Sequence, residues 1–216
     1  MKENFSAPVR IGLCGRSGAG KGTVSELFAR FGIPSIDTDK VYREMTSAAP
    51  SVDCLSPCMR ELVENFSAKL LRDDFSLDRA ALADIVFAPG GEESLKLLNS
   101  ITHRHILSRT DELISDFVEN GARAVIIDAP LLFESGYDRY CDCIVAVDAP
   151  EDVLVERIVK RDGISLDAAK RRLASQMEFR ELERRADFII LNNCGKDELS
   201  LRVSAVALYI LRRITD

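Results

Sequence analysis

The sequence contains no apolar run approaching the roughly 20 residues that a membrane-spanning helix needs. Its first ten residues, MKENFSAPVR, hold no apolar core of the kind a secretory leader carries. Both absences predict a cytoplasmic protein with no membrane partner. There is no excess of positive charge either. The formal net charge is −6, which gives no reason to expect nucleic acid as a partner. Histidine is scarce, with two in 216 residues, and neither lies near a cysteine pair. The Cys54–Cys58 and Cys141–Cys143 spacings are not the usual C-x2-C of zinc sites. These four, with Cys14 and Cys194, therefore read as reduced thiols. Repeats, low-complexity tracts and flexible linkers are also lacking. What is present is enough chain and enough apolar content for one or two domains with a sizeable core.

Five short apolar runs read as buried strands: VRIGLCG (9–15), IPSID (33–37), RAVIIDAP (123–130), CIVAVDAP (143–150) and DFIILN (187–192). Apolar residues on both faces, with helical patterns between the runs, predict an α/β protein: a five-stranded parallel sheet with helices on both faces. Each run ends in or runs into Gly, Asp or Asn. That is the rim where open α/β sheets bind ligands.

Between the second and third runs lie residues 38–122, far more than one crossover helix requires. This stretch reads as helical throughout. SLDRAALADIVF opens with Ser76 in a capping position. Leu95, Leu98, Ile106, Leu113 and Phe117 fall on one stripe of a long helix, and Gly121 suits its stop. The expected division is a nucleotide-binding core of 1–37 and 123–216, with 38–122 as a helical insertion that either binds substrate or only stabilises. A second helical pair follows the fourth run, where Pro150 suits a first turn and Ser165 caps the next helix. Residues 157–185 there carry nine Lys or Arg and five Asp or Glu. That local positive excess fits a solvated helix face, or a lid bearing cations beside a phosphate site.

The first run leads into GRSGAGKGT, residues 15–23. Gly15, Gly18, Ala19, Gly20 and Lys21 follow the phosphate-cradling pattern G-x-x-x-x-G-K-[ST], between a strand and an amphipathic helix carrying Val24, Leu27, Phe28 and Phe31. Backbone N–H groups and the helix start bind the anion, and Lys21 supplies a point charge for the β- and γ-phosphates. The pattern then breaks. Gly22 stands where the metal-binding hydroxyl belongs, and Thr23 follows one place late. Neighbouring helical side chains differ by roughly 100° in direction, so Thr23 cannot simply replace a serine at 22. Magnesium keeps several waters, so a water held by a nearby carboxylate can take that place.

Such carboxylates are at hand. Asp37 and Asp39 follow the second run two residues apart, and Asp128 ends the third. Acids at these strand ends can position an acceptor hydroxyl and hold the hydration shell of magnesium, or they can simply cap helices and turns.

Over nearly its whole length the chain resembles the dephospho-CoA kinases. The likeness runs through IGLCGRSGAGKGTVSELFARFGIPSIDTDKVYREM, LDRAALADIVF, LNSITH, IIDAPLLFE, ERIVKRDGIS, RRLASQ and ADFIILNNCG. The I-D-x-D pair with D-x-P-L-L-F-E is specific to that family in a way the loop is not. The resemblance implies a P-loop kinase core, a helical CoA-binding insertion and a lid at about 157–185. It implies transfer of the ATP γ-phosphate, with Mg2+, to the ribose 3′-hydroxyl of dephospho-CoA in the last step of coenzyme A synthesis. By position, Asp39 resembles the acid that orients or deprotonates that hydroxyl, and Lys21 the phosphate-loop lysine. Asp37, Arg43 and His103 resemble substrate-side residues. Arg157 and Arg161 sit where the lid brings cations to the transferred group, and Thr23 and Asp128 are indirect metal contacts. Gln176 and Asn192 also match, with no chemistry assigned.

Two departures stand out. Gly22 replaces the family's usual serine. In THRH, Arg104 replaces a proline that usually follows the histidine. His103 and His105 point about 160° apart on a helix and do not form a chelating pair. Each reads equally as a partly exposed or core histidine. Shikimate kinases share the acidic pair but not the long insertion or DAPLLFE. Nucleoside monophosphate kinases share Lys-Gly-Thr but not the acids. A non-catalytic guanine-nucleotide switch would need N-K-x-D, which NCGKD echoes only superficially.

Overall fold

A computed structural model of the protein describes residues 8–214. Among these, the chain runs β1 (Val9–Cys14), α1 (Lys21–Ala29), β2 (Ser35–Asp37), α2 (Thr38–Met45), α3 (Pro57–Asn65), α4 (Arg79–Val86) and α5 (Glu92–Glu119). It continues through β3 (Ala124–Asp128), β4 (Cys143–Asp148), α6 (Glu151–Asp162), α7 (Leu166–Ala174), α8 (Phe179–Arg185), β5 (Phe188–Leu191) and α9 (Lys196–Arg213). All five apolar runs form strands. They make one parallel sheet in the order β2-β3-β1-β4-β5.

That order explains where a ligand can sit. From β1 the chain crosses past one strand position to β2, and β3 later fills the gap. β4 and β5 then extend the sheet on the other side of β1. The direction of winding reverses beside β1, so the loop after β1 opens into the crevice at the switch point. Ile11 and Leu13 of β1 point to one face and pack with Val24 and Phe28 of α1, Leu154 and Ile158 of α6, and Val203 of α9. Each such side chain, fully buried, contributes about 1.5–3 kcal/mol relative to exposure. On the opposite face, Gly12 leaves room for Leu132 and Cys141, whose atoms would lie 2.9 Å from an added Cβ.

The chain divides into two compact units, Met1–Asp37 with Ile114–Asp216, and Thr38–Leu113. The division falls inside α5 rather than after it. The second unit has its own core, in which Cys58, Met59 and Leu62 of α3 pack with Leu70, Leu77, Leu82, Val86 and Ile101. This stretch is not helical throughout, as its composition had suggested. Between α3 and α4 the chain makes a 3-10 turn at Ala68–Leu70 and a single antiparallel bridge from Leu71 to Leu77. Asp74 Oδ1 accepts from the backbone N–H and the hydroxyl of Ser76, and Phe75 adopts a left-handed φ of 59°. The short side chain of Asp74 thus builds a turn that competes with helix.

Ser76 therefore belongs to that turn and does not cap α4. The cap is Asp78, whose Oδ1 accepts from Ala80 N at 3.0 Å and Ala81 N at 3.1 Å. Ser165 does cap α7, accepting from Ala168 N. The six cysteines are free thiols. Burial pushes Cys58 up to about 11, and Cys141 and Cys143 up to about 12. Cys54 is exposed. Replacing Asp78 by Ala should cost about 1 kcal/mol of stability in urea unfolding, and Asp78→Asn, which keeps a capping side chain, should cost less.

Candidate active site

The loop between β1 and α1 approaches its surroundings too closely for side chains at Gly15, Gly18 and Gly20, a Cβ on Gly18 falling 2.8 Å from the Leu154 carbonyl oxygen of α6. A Cβ on Gly15 would lie 2.2 Å from the Val147 carbonyl oxygen in β4. Gly20 occupies the left-handed region at φ 92° as the residue before α1, and a Cβ there would lie 2.3 Å from Asn192 Nδ2. Only glycine fits these places. No side chain caps α1, and no acid stands in its first turn. Its first backbone N–H groups are thus left to an anion.

Five side chains from distant elements hold this loop. Arg16 makes a two-pronged bond to Asp148 at the end of β4, with Nε to Oδ1 at 3.0 Å and Nη2 to Oδ2 at 2.7 Å, and Nη2 also reaches Ala149 O at 3.3 Å. Asp148 is only 2% exposed. Asn192, just past β5, donates its Nδ2 to Ala19 O at 2.8 Å. Arg157 of α6 donates to Gly18 O at 3.2 Å and to Asn192 O at 3.1 Å. Gln176, in the turn after α7, accepts from Ser17 N at 2.8 Å. Arg161 adds a bond from Nη2 to Ser17 Oγ at 3.2 Å. Its own guanidinium lies along Asp162, which Arg172 also contacts. The bonds from Arg161, joined by those from Arg172, hold the Asp162 carboxyl down at about 2.

Lys21 is the first residue of α1, and its Nζ lies 3.9 Å from Asp128 Oδ1 at the end of β3. Asp37 pairs in register with Asp128 across β2 and β3, so the two carboxylates occupy adjacent strand ends. Cys14 precedes the loop, but burial pushes its thiol up to about 12 and removes it as a nucleophile. Thr23 is exposed, and a Cβ on Gly22 would have nothing within 4 Å. The missing hydroxyl at position 22 is therefore not a steric necessity.

The phosphate loop, Lys21, Asp37, Asp128, Arg157 and Arg161 all belong to the first unit. Asp39, Arg43 and His103 belong to the second. Asp39 lies in the first turn of α2 and Arg43 one turn on, sharing its face; both are exposed. His103 is half-buried in α5, where burial holds its imidazole below the usual range. His105 makes a separate contact, Nε2 to Glu61 Oε2 at 2.7 Å, and Arg104 bonds to the other oxygen of Glu61. Among the described residues, no group of three or more His, Cys, Asp or Glu is placed to hold a metal ion.

The Arg16–Asp148 pair escaped sequence reasoning. Its partners stand 132 residues apart, and nothing local to either one marks it. Gln176 and Asn192 acquire clear work as loop ligands. The one local signal for Asn192 was a polar residue directly after an apolar strand.

A strand–glycine loop–lysine–helix unit at the switch point of a parallel sheet defines a P-loop nucleotide-binding protein. The particular kind follows from comparison with known proteins. The sequence matches the dephospho-CoA kinase family over residues 9–198. The dephospho-CoA kinase of Corynebacterium glutamicum is 35% identical over 206 residues, which cover 95% of this chain and 99% of that one. Among solved structures, a Thermus thermophilus protein superposes with a TM-score of 0.76 at 29% identity, covering 95% of this chain and 99% of its own. The dephospho-CoA kinase of Campylobacter jejuni superposes with a TM-score of 0.58 at 26% identity, covering 95% and 98%. The chain belongs to the dephospho-CoA kinase family.

Removing Asp148 should strand the Arg16 guanidinium and cost about 3–5 kcal/mol in denaturant unfolding. The double replacement Arg16→Met with Asp148→Leu should recover most of that loss, because an apolar pair leaves no buried charge unmatched.

Proposed function

We propose that this protein transfers the γ-phosphoryl group of ATP to the ribose 3′-hydroxyl of dephospho-CoA, giving coenzyme A and ADP. The observation that carries the reading is the phosphate loop, clamped at the switch point, with Asp37 and Asp128 on the adjacent strand ends. The loop N–H groups and Lys21 hold the β- and γ-phosphates. The acceptor oxygen forms a bond to the γ-phosphorus as the bond to the β,γ-bridging oxygen breaks. Asp39 orients the hydroxyl and takes its proton. Such a transfer is mainly a matter of positioning and of stabilising spread negative charge, which is the part given to Arg157 and Arg161.

Asp37, Arg43 and His103 form the acceptor side, with 38–122 as the CoA-binding insertion and about 157–185 as the lid that excludes water. The setting is the cytoplasm. No described helix is long and apolar enough to cross a membrane.

The residues present suit magnesium, which takes one or two carboxylates together with phosphate oxygens and keeps several waters. Asp128 and Asp37 would hold it through water, with the Thr23 hydroxyl near the start of α1. Bound there with ATP, it neutralises charge on the β- and γ-phosphates. Because the space at Gly22 is open, a serine can be restored without displacing a neighbour.

A coupled ADP assay with dephospho-CoA, shikimate and nucleoside monophosphates as competing acceptors should show turnover with the first alone; turnover only with another would replace this reading. Asp39→Asn should lower kcat by about 10²- to 10⁴-fold while the urea midpoint barely moves. Gly22→Ser should stay active and reach half-maximal rate at a lower free magnesium concentration. An unchanged magnesium requirement would show that the hydroxyl at 22 has no part in metal binding.

A further inference from the structure

Ser17 is gripped at both of its outward-facing polar groups by the arginine-rich segment. Its N–H donates to Gln176 Oε1 at 2.8 Å, and its hydroxyl accepts from Arg161 Nη2 at 3.2 Å. The same Arg161 Nη2 also donates to Asp162 Oδ2 at 2.9 Å, so one nitrogen links the end of α6 to the middle of the loop. Gln176 is itself anchored. It is half-buried, and its backbone N–H donates to Leu173 O at 3.0 Å. A backbone N–H can only donate, which forces the amide orientation: the oxygen faces Ser17 and the NH2 faces away.

We propose that Gln176 is a positioning residue for phosphoryl transfer, setting the Ser17 peptide and Arg161 together as one unit. The proposal rests on the kinase reading above. Ser17 lies between Arg16, which Asp148 fixes, and Gly18, whose carbonyl Arg157 fixes. Without the amide oxygen, the Ser17 N–H would be left to another acceptor, such as a phosphate oxygen of bound ATP. The loop would then hold the triphosphate in a shifted register, with Arg161 released from its alignment. A misplacement of about 1 Å is enough to cost roughly 10²-fold in rate. A neutral acceptor suits this place, because a carboxylate would set negative charge beside the triphosphate.

The test uses the full chain with Gln176→Met, which keeps length and removes the acceptor, and Gln176→Glu, which keeps the acceptor and adds charge. The readouts are kcat and the KM for ATP with dephospho-CoA, the melting temperature, and hydrogen exchange at the Ser17 amide without nucleotide. For Gln176→Met we expect kcat to fall about 10- to 100-fold with the KM for ATP within about threefold. Its melting temperature should stay within about 2 °C, and Ser17 should lose exchange protection. Gln176→Glu should keep that protection and raise the KM for ATP. A kcat within about twofold of the parent for Gln176→Met, or Ser17 still protected in it, would overturn the proposal. The two readings fail differently. A wrong acceptor shows as no dephospho-CoA-dependent ADP from the unaltered protein, whereas a wrong role for Gln176 shows as unchanged exchange at Ser17 in the methionine variant.

Discussion

A peptide group is planar, so fixing its carbonyl fixes the N–H on its other side. That constraint governs this site. Asn192 holds the Ala19 carbonyl, so the Gly20 N–H must point the opposite way, away from Asn192. Arg157 holds the Gly18 carbonyl and ties itself to Asn192 as well, while the Ala19 N–H of that peptide donates to the Arg16 carbonyl at 3.1 Å within the loop. Asn192 N in turn donates to Asp148 O at 2.7 Å, and the Asp148 carboxylate grips Arg16. The loop, the ends of β4 and β5 and one face of α6 thus form a closed hydrogen-bonded circuit. An anion site built this way is ordered before the anion arrives, which is how electrostatic stabilisation avoids reorganisation during the reaction.

The basic segment 157–185 divides between two roles. Arg157 and Arg161 reach the loop directly, and Arg172 reinforces the Asp162 contact of Arg161. Arg184 pairs with Glu181 within α8, as an ordinary solvated helix pair does. Arg185 lies over the ring of Phe133, 3.9 Å from its centroid, and contacts Asp138 at 3.5 Å. A cationic stretch on α6 and α7 and a solvated face on α8 therefore follow one another in the sequence, and a count of charges along the chain does not separate them.

Four of the strands were readable as largely apolar runs, the pattern a doubly covered parallel sheet demands, whereas β2 at the sheet edge is Ser-Ile-Asp with Ile36 alone buried. The phosphate loop was readable because its glycines, lysine and following helix are contiguous. What escaped is what depends on residues far apart. Arg16 finds Asp148, and Ser17 finds Gln176, only after the sheet has formed. The start of α4 was missed for a different reason. Ser76 and Asp78 are both good caps, and the choice between them is made by Asp74, which draws Ser76 into the turn before the helix. Local propensity offered two answers, and a neighbouring turn decided.

The cysteines carry a practical consequence. Cys14 stands directly before the phosphate loop, yet its thiol is buried and held in the protonated form. Cys58, Cys141 and Cys143 are muted in the same way. Cys54 is exposed and belongs to the second unit, which supplies none of the loop contacts described above. Cys194 is half-buried two residues past Asn192, so with Cys194 replaced by Ser a thiol-directed fluorophore or spin label has a natural attachment point at Cys54 on the helical insertion, where it can follow that unit through turnover.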